Sequence, residues 1–355
     1  MDFHPLYSVK KVGEILLPFL NSLLPISLRV NNEILLSPSN YLIMHRRHFM
    51  KATSVAGLAA LSGFSPLKVP FEQPNRLLID ADTANEIDDL YAIVRALLEP
   101  NLDIVGLSSA QWNHRLSPPE TVMLSQKLNE DLLELTGRYD IPHPMGAEMI
   151  MGKPWGGDEP RDSPAVQLMI REARRTPASK KLVIASLGAV TNVASAIKLA
   201  PDIIPKIACY MLSGRFYADR KVWDKDEFNL RNDLNAANFL FNTEGLKLHV
   251  MPVNILLDFQ FRLEEVMNRL AGKSSLGDYL VTRWLTHSPG SKTWIMWDLA
   301  LVQAIIRPEL TTEAPFMTPP ENKQRQVQVY TSVDEKAMLQ DWWRIAEKVV
   351  SGSMK

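Results

Sequence analysis

The sequence is poor in cysteine. Among 355 residues Cys209 stands alone, which excludes an internal disulfide bond and a metal site built from several cysteines. Cys209 lies within an apolar run, residues 207–212, so we expect it to be a buried structural residue. Internal repeats and low-complexity tracts are also missing. What remains is an ordinary globular composition, 46% hydrophobic and 22% charged, with enough length for one large domain or two small ones.

An excess of positive charge is likewise missing from most of the chain. The formal net charge is −1, and residues 1–68 carry seven Lys or Arg against three acids. The remaining residues are therefore mildly acidic. This argues against a nucleic acid as partner, because binding of a phosphate backbone needs a basic face.

The basic N-terminal part contains a pattern typical of export signals. The pair Arg46-Arg47 precedes a weakly apolar stretch, 52–64, that is rich in Ala and Gly. This arrangement resembles a twin-arginine leader, and the stretch is too short for a typical membrane span.

We therefore expect residues 44–72 to direct export to the periplasm through the twin-arginine translocation machinery. A leader that stays uncleaved would instead anchor the protein to the membrane. Because such signals stand at a true N-terminus, we expect translation to start at Met44. Residues 1–43 would then be disordered or lie outside the native protein.

From residue 76 onward, apolar runs alternate with helical patterns, which predicts an α/β fold with a mostly parallel central sheet flanked by helices. No linker-like composition divides this part, so we expect a single domain over 73–355. Strands are predicted at 76–80, 104–109, 181–186, 207–212, 247–253 and 326–331. Helices are predicted at 87–98, 118–136, 163–175, 190–199, 233–243, 263–271, 275–287, 298–306 and 334–350. The stretches 144–162 and 308–325 are expected to be a loop near the site and a long surface connection.

Acidic residues are concentrated at the end of the first predicted strand. Within ten residues stand Asp80, Asp82, Glu86, Asp88 and Asp89. Open α/β sheets bind ligands in the crevice at the carboxyl ends of their strands. Unpaired carboxylates at short range raise each other's pKa, so a divalent cation is the simplest partner. Ligands that are all oxygen favour calcium or magnesium over zinc.

These acids begin a series of five segments that resembles the nucleoside hydrolase family, the inosine-uridine-preferring N-ribohydrolases. The acids themselves are similar to that family's Asp-x-Asp-x-x-x-Asp-Asp signature. The other matching segments, in the family's order, are 104–113, 188–192, 227–233 and 297–300. The resemblance implies a Rossmann-like fold and calcium-dependent hydrolysis of the N-glycosidic bond of ribonucleosides to ribose and free base. It implies a ribonucleoside as partner and leaves a homo-oligomer open.

The resemblance also implies roles for individual residues. Calcium can lower the pKa of a bound water and chelate the ribose hydroxyls. Its protein ligands would be Asp82, Asp89, Asp298 and the backbone carbonyl of Thr191. Asp82 would also act as general base. The residues that would hydrogen-bond the ribose hydroxyls are Asp88, Asn113, Glu227 and Asn229. Asp80 would support the site from behind.

Simpler interpretations stay open for single residues. Asp88 and Asp89 suit the first turn of a helix, where acids interact favourably with the macrodipole. Asp233 is interpreted as a helix N-cap. Helix starts and turns would equally account for Thr191, Asp298 and Asn113.

The acidic segment departs from the family's pattern in its length. Five residues separate Asp82 from Asp88, where the family usually has three. The two extra residues must bulge in the loop, so Asn85 or Glu86 either reaches the site or points to solvent.

A second departure is Trp297, which stands where the family usually has a histidine that protonates the leaving base. An indole cannot act as a general acid, but it can stack on a purine ring. Trp297 in this role, with Trp155 or Trp112 as partner, favours a purine nucleoside. A core tryptophan is the alternative.

Two other functions remain open at this stage. The loss of the histidine makes a catalytically silent nucleoside- or sugar-binding protein of the same fold conceivable. The segment from Asp80 to Thr83 also resembles the Asp-x-Asp opening of haloacid-dehalogenase-type phosphatases, with Asp80 as nucleophile, Asp82 as acid/base and magnesium as metal. That family also needs a downstream lysine and a later acidic pair at the end of a strand, and the stretch 247–258 does not supply this pair.

Overall fold

The computed structural model describes residues 76–177 and 179–350. The predicted leader, 44–72, and residues 1–43 lie outside this part of the chain, so the expectations about them stay predictions. Among the helices of the described residues, none combines the length and the apolarity that a membrane crossing requires.

Eleven strands are found among the described residues. They are β1 (Arg76–Ala81), β2 (Asp103–Ser109), β3 (Leu182–Ser186), β4 (Ile207–Leu212), β5 (Arg215–Tyr217), β6 (Val222–Asp224), β7 (Lys247–Met251), β8 (Gln260–Arg262), β9 (Thr293–Ile295), β10 (Thr311–Met317) and β11 (Gln326–Val333). Seven of them form the central sheet in the order β10-β11-β7-β4-β3-β1-β2. The other four form two short antiparallel pairs, β5 with β6 and β8 with β9.

Ten α-helices connect and cover these strands in the described residues. They are α1 (Asp88–Leu97), α2 (Thr121–Leu135), α3 (Pro164–Arg175), α4 (Thr191–Leu199), α5 (Phe228–Asn232), α6 (Leu234–Asn242), α7 (Leu263–Leu270), α8 (Ser275–His287), α9 (Trp297–Ile306) and α10 (Glu335–Val350).

The central sheet is parallel except for β10, which pairs antiparallel with β11. Strand β1 lies between β2 and β3, so the chain first adds β2 on one side of β1 and then crosses over to add β3 on the other side. A reversal of this kind opens a crevice at the carboxyl ends of β1 and β3, which is where such sheets bind ligands. The predicted α/β fold with a mostly parallel sheet flanked by helices is confirmed.

Strand β1 shows why helices cover both faces of the sheet. Its side chains alternate: Leu77, Ile79 and Ala81 join a buried cluster with α1, α8, α9 and α10. Leu78 joins the cluster on the opposite face with α3, α4 and α6. A parallel strand that is buried on both faces is expected to be apolar, as β1 is from Leu77 to Ile79.

The stretch 308–325, predicted to be a surface connection, contains strand β10 at the edge of the sheet, so that prediction is wrong in part. The alternation of apolar and polar residues along β10 is weak because its side chains are half-buried or exposed. Pro315 also suggests a break, yet an edge strand tolerates proline because one side of its backbone needs no partner.

Helix α2 begins at Thr121, three residues after the start predicted at 118. Ser117 does not cap it, because the Ser117 hydroxyl donates to the His114 carbonyl and to Oδ1 of Asn113 in a local turn. The N-cap predicted at Asp233 is confirmed: its Oδ1 accepts from the backbone N–H of Ala236 at 2.9 Å.

Candidate functional site

A solvent-open cavity of about 220 Å³ lies at the carboxyl edge of the sheet. It is reached by Asp82 directly after β1, by Leu187 directly after β3 and by Leu212 at the end of β4. Its acidic lining residues are Asp82, Glu86, Asp88, Asp89, Glu227 and Asp298. The cavity therefore occupies the crevice that the sequence predicted, with most of the predicted acids in it.

Three of these acids converge although they come from two distant helices. Asp88 and Asp89 form the first turn of α1, and Asp298 lies in the first turn of α9. Each offers a carboxylate oxygen, and these three oxygens all lie within 4.8 Å of one another. The backbone N–H of Asp298 donates to Oδ2 of Asp88 at 3.0 Å, which fixes the two helix starts against each other.

Asp82 reaches the same cavity from the loop after β1 and is 2% exposed. Gly188, in the turn after β3, packs directly against it: a Cβ atom at Gly188 would lie 2.7 Å from Cγ of Asp82. Only a residue without a side chain fits there. Asp80 lies behind, inside β1, where its Oδ1 accepts from Ser108 at 2.6 Å and from Asn192 at 3.0 Å.

Glu227 and Asn229 enter the cavity from the start of α5. The Glu227 carboxylate accepts from the backbone N–H groups of Gly214, Asn229 and Leu230 at 2.9–3.2 Å, so its orientation is fixed. The Asn229 amide nitrogen donates to the carbonyls of Leu187 and Leu212, which end β3 and β4. This leaves Oδ1 of Asn229 as its hydrogen-bonding atom without a partner among the described residues.

The longer loop between Asp82 and Asp88 also contributes to the cavity. Asn85 and Glu86 both line it, as does the half-buried Trp297. Of the two outcomes left open for the extra residues, the structure shows the one in which they reach the site.

Two predicted site residues do not line the cavity. Thr191 is the buried first residue of α4, and its hydroxyl donates to Oδ2 of Asp233 at 2.6 Å. Asn113 is exposed, and its backbone N–H donates to Oδ1 of Asn232 at 2.6 Å. The roles implied for both stay predictions. The two tryptophans suggested as partners of Trp297 lie elsewhere: Trp112 is buried against Ser125, and Trp155 is 82% exposed.

Burial and mutual repulsion weaken the acidity of the cluster. Burial, followed by the charges of Asp88 and Glu227, raises the pKa of Asp82 to about 8. The same causes, with Asp88 and Asp82 as neighbours, raise the pKa of Glu86 to about 8. Burial and the adjacent carboxylates also raise the pKa values of Asp89 and Asp298 well above their ordinary range.

A bound cation would offset the negative charge of this cluster, which no positively charged side chain of the described residues offsets. One carboxylate oxygen each of Asp82, Asp88, Asp89 and Asp298 is buried without a hydrogen-bond partner. Among the described residues, no Lys, Arg or His forms an ion pair with any of these four. Two helix N-termini point at them, but a macrodipole contributes only about 0.3–1 kcal/mol in most settings. A cluster of oxygen donors fits a hard divalent ion, so these residues can hold a metal.

Comparison with known proteins agrees with this geometry. A family model described as inosine-uridine preferring nucleoside hydrolase matches residues 77–349. The chain belongs to this family. Asp80, the nucleophile of the alternative phosphatase hypothesis, is fully buried and does not line the cavity, so that hypothesis has no support.

Individual relatives are distant. A pyrimidine-specific ribonucleoside hydrolase, RihB of Escherichia coli O157:H7, is 26% identical over 196 residues. That alignment covers 52% of this chain and spans 61% of the relative's length.

Two solved structures of nucleoside hydrolases share the fold of this chain. The plant nucleoside hydrolase PpNRh1 gives a TM-score of 0.61 at 20% identity, covering 77% of this chain and 99% of that one. A purine-preferring ribonucleoside hydrolase from Gardnerella vaginalis gives 0.58 at 20% identity, covering 78% and 99%.

Sequence reasoning missed several cavity residues. Leu187, Leu212 and Val253 are apolar and signal only a core, while Arg215 stands outside the matching segments and Arg231 occupies a variable position within 227–233. Their positions depend on how β4, β5 and α5 turn around the crevice. No local pattern in the sequence indicates that arrangement.

Proposed function

We propose that the protein hydrolyses the N-glycosidic bond of ribonucleosides to ribose and free base, with calcium as cofactor. The observation that carries this proposal is the convergence of Asp82, Asp88, Asp89 and Asp298, with orphaned buried oxygens, beside Glu227 and Asn229 in one open cavity. Family membership supports the same reaction class.

In this proposal Asp82, Asp89 and Asp298 hold the cation, together with the carbonyl of Thr191. When bound, calcium supplies Lewis acidity that favours deprotonation of a water and attracts the ribose hydroxyl oxygens. Asp82 accepts the proton of the attacking water as general base. A bound cation would favour the ionised form of Asp82, which is the form that accepts a proton.

The sugar is held by groups whose geometry is already fixed. Asp88 is anchored by the Asp298 N–H, and Glu227 by three backbone N–H groups, so both present carboxylate oxygens with little rotamer freedom. Asn229 offers Oδ1, and Asn113 is the further residue implied by resemblance. Fixed acceptors favour a substrate with free ribose hydroxyls and reject a sugar that leaves them unpaired.

Trp297 supports a preference for purine nucleosides. It lines the cavity at the start of α9, next to Asp298, and it is half-buried. Stacking on a purine raises the basicity of the base and assists its departure. The relatives differ on this point, since one is pyrimidine-specific and another purine-preferring.

The test is release of free ribose from inosine, guanosine, uridine and cytidine, with calcium and with a chelator. We expect calcium-dependent release, fastest from the purine nucleosides. Asp82→Asn should lower kcat at least 100-fold, within the range that general base catalysis contributes. Asp158→Asn, at an exposed acid outside this cavity, is the matched control.

Binding of nucleosides without any ribose release would instead favour the catalytically silent binding protein. Hydrolysis that survives in Asp82→Asn would show that the proposed base is wrong.

We propose further that residues 44–72 direct export to the periplasm. The support is the Arg46-Arg47 pair followed by the apolar stretch. A reporter enzyme fused after residue 72 should be exported, and replacing both arginines by lysine should stop export. Export that needs neither arginine would contradict the proposal.

A further inference from the structure

A second cavity, of about 610 Å³, lies between α6 and residues 157–158, and it shares no lining residue with the acidic cavity described above. Three asparagines of α6 line it, and they are Asn235, Asn238 and Asn242. Asp158 is the one charged residue of the described part of the chain in this lining, and it pairs with Lys198 at 2.5 Å. We call this space the amide cavity. Its lining suits a small ligand that is polar and neutral.

The protein holds the side-chain oxygens of two of these asparagines. Oδ1 of Asn238 accepts from Nζ of Lys225 at 2.7 Å, and Oδ1 of Asn242 accepts from the backbone N–H of Lys323 at 2.8 Å. The Asn322 amide donates to both oxygens at 3.1 Å. An ammonium group and a backbone N–H can only donate, so these contacts identify which amide atom is the oxygen. The Nδ2 group of each side chain is therefore turned away from these partners.

The third asparagine is held in the opposite sense. Nδ2 of Asn235 donates to the carbonyls of Met151 and Lys153, both at 2.8 Å, so Oδ1 is its free atom. Asn235, Asn238 and Asn242 are spaced by three and four residues, which places them on one face of α6. Within the described residues, neither Nδ2 of Asn238 and Asn242 nor Oδ1 of Asn235 has a hydrogen-bond partner. The amide cavity thus presents two fixed donor groups and one fixed acceptor.

An exposed tryptophan stands beside the amide cavity. Trp155 is 82% exposed and lies two residues before the segment 157–158 that lines the cavity. It is at the tip of a tight turn, in which the backbones of Lys153 and Gly156 exchange two hydrogen bonds of 2.9 Å. Arg161 anchors the same loop by donating to the Gly152 carbonyl. The loop therefore holds an indole ring in solvent, where its small buried area contributes little to folding.

We propose that the amide cavity and Trp155 bind a neutral carbohydrate. Each hydroxyl of a sugar both donates and accepts, so neighbouring hydroxyls match the free amide donors and the free Oδ1. The C–H face of a sugar ring is apolar and suits the exposed face of an indole. A peptide would need apolar pockets for its side chains, and Phe239 is the only apolar side chain of the described residues in this lining.

The experiment measures binding of cellobiose and maltose by calorimetry, and retardation of the protein by xylan and glycogen in native gels. We expect at least one of these neutral sugars to bind to the wild type. Trp155→Ala and Asn238→Asp should each weaken that binding at least about fivefold, because each removes a contact with the sugar. Trp155→Ala should keep the Tm of the wild type, since the side chain is exposed.

Asn238→Asp tests the free donor, because aspartate keeps an oxygen for Lys225 but has no amide N–H. Asn268→Asp is the matched control: Asn268 is exposed on α7 outside the amide cavity, so binding should stay within about twofold of the wild type. The readout is binding, so it does not depend on the proposed hydrolase activity.

The source of the sugar follows from the same measurements. Retardation by a polysaccharide would identify a sugar chain as the ligand, whereas binding of the disaccharides alone would identify a free sugar. The proposal is overturned if no sugar binds, whether or not unfolded casein does. It is also overturned if Trp155→Ala or Asn238→Asp binds as the wild type does, if Asn268→Asp weakens binding as much as they do, or if inosine competes with the sugar.

Discussion

The backbone N–H of Asp298 hydrogen-bonds to Oδ2 of Asp88 at 3.0 Å, although 210 residues separate them in the chain. This bond places the first turn of α9 against the first turn of α1. It also leaves Oδ1 of both carboxylates buried without a partner. The acidic cluster is therefore a product of two helix starts brought together, and its repulsion is what a cation would relieve.

Without calcium, the protein should become less stable as pH rises from 5 to 8. The pKa values of Asp82 and Glu86 are about 8 in the folded state, whereas unfolded carboxyls ionise near pH ~4. Between these values the folded state binds more protons, so the free energy of unfolding falls as pH rises. Calcium should raise Tm most at pH 8 and least at pH 5.

Thermal unfolding at pH 5, 6.5 and 8, with chelator and with calcium, checks this. Asp298→Asn removes one of the repelling charges, so it should flatten the pH dependence in chelator. A calcium-induced rise in Tm that is equal at all three pH values would contradict the assignment.

Asp341→Asn should destabilise the protein by about 3–5 kcal/mol at pH 7, the usual cost of breaking a buried ion pair. Asp341 on α10 accepts from Arg95 of α1 at 2.8 Å and from Gln303 of α9 at 3.0 Å. Burial opposes its ionisation, but the bonds and charge of Arg95, with Arg344 and Gln303, outweigh this and lower its pKa to about 2.

The lowered pKa of Asp341 sets the pH range in which its ion pair stabilises the protein. The stabilisation is fully present above the unfolded value, near pH ~4, and is lost as pH falls through about 2. Urea unfolding of wild type and Asp341→Asn should therefore differ at pH 7 and converge near pH 2. Asp202→Asn breaks an exposed pair with Arg174 and should change stability little at either pH.

Gly188→Ala should reduce kcat more than it reduces stability. The new Cβ would lie 2.7 Å from Cγ and Oδ1 of Asp82, so the proposed base must move. A displacement of about 1 Å at a reacting group can cost roughly 100-fold in rate. Gly106→Ala is the matched control, because its Cβ would meet Cδ2 of Leu168 at the same 2.7 Å, and neither residue lines the cavity.

The measurements are kcat for ribose release and Tm for both variants. We expect Gly106→Ala to lower Tm and to keep kcat within about threefold. Equal losses of kcat in the two variants would show that the contact with Asp82 is not what matters.

Trp297→Leu should lower kcat/KM for inosine about tenfold more than for uridine, because the larger purine surface loses more stacking. Stacking of aromatic rings contributes roughly 0.5–1.5 kcal/mol beyond the buried area. Trp155→Leu, at an exposed position outside the cavity, should leave both values unchanged. An equal loss for both nucleosides would indicate that Trp297 serves packing instead.

Much of the fold could be predicted because its signals are local. The apolar run of β1 and the amphipathic pattern of α1 each reflect burial that repeats along a short stretch of chain. β10 was missed for the opposite reason. An edge strand is half exposed, so its sequence carries little periodicity, and only pairing with β11 makes it a strand.

The candidate site divides in the same way. The sequence by itself determined the chemistry: oxygen donors at the end of β1, the sugar-binding types Glu227 and Asn229, and a tryptophan before Asp298. Only the tertiary structure decided which of these meet. It joined Asp298 to Asp88, placed Asn85 and Glu86 in the cavity, left Thr191 and Asn113 outside its lining, and added Arg215 and Arg231. The physical reason is that the chemistry of a side chain follows from its residue type alone. Which side chains meet depends instead on how helix starts and strand ends pack across the whole sheet.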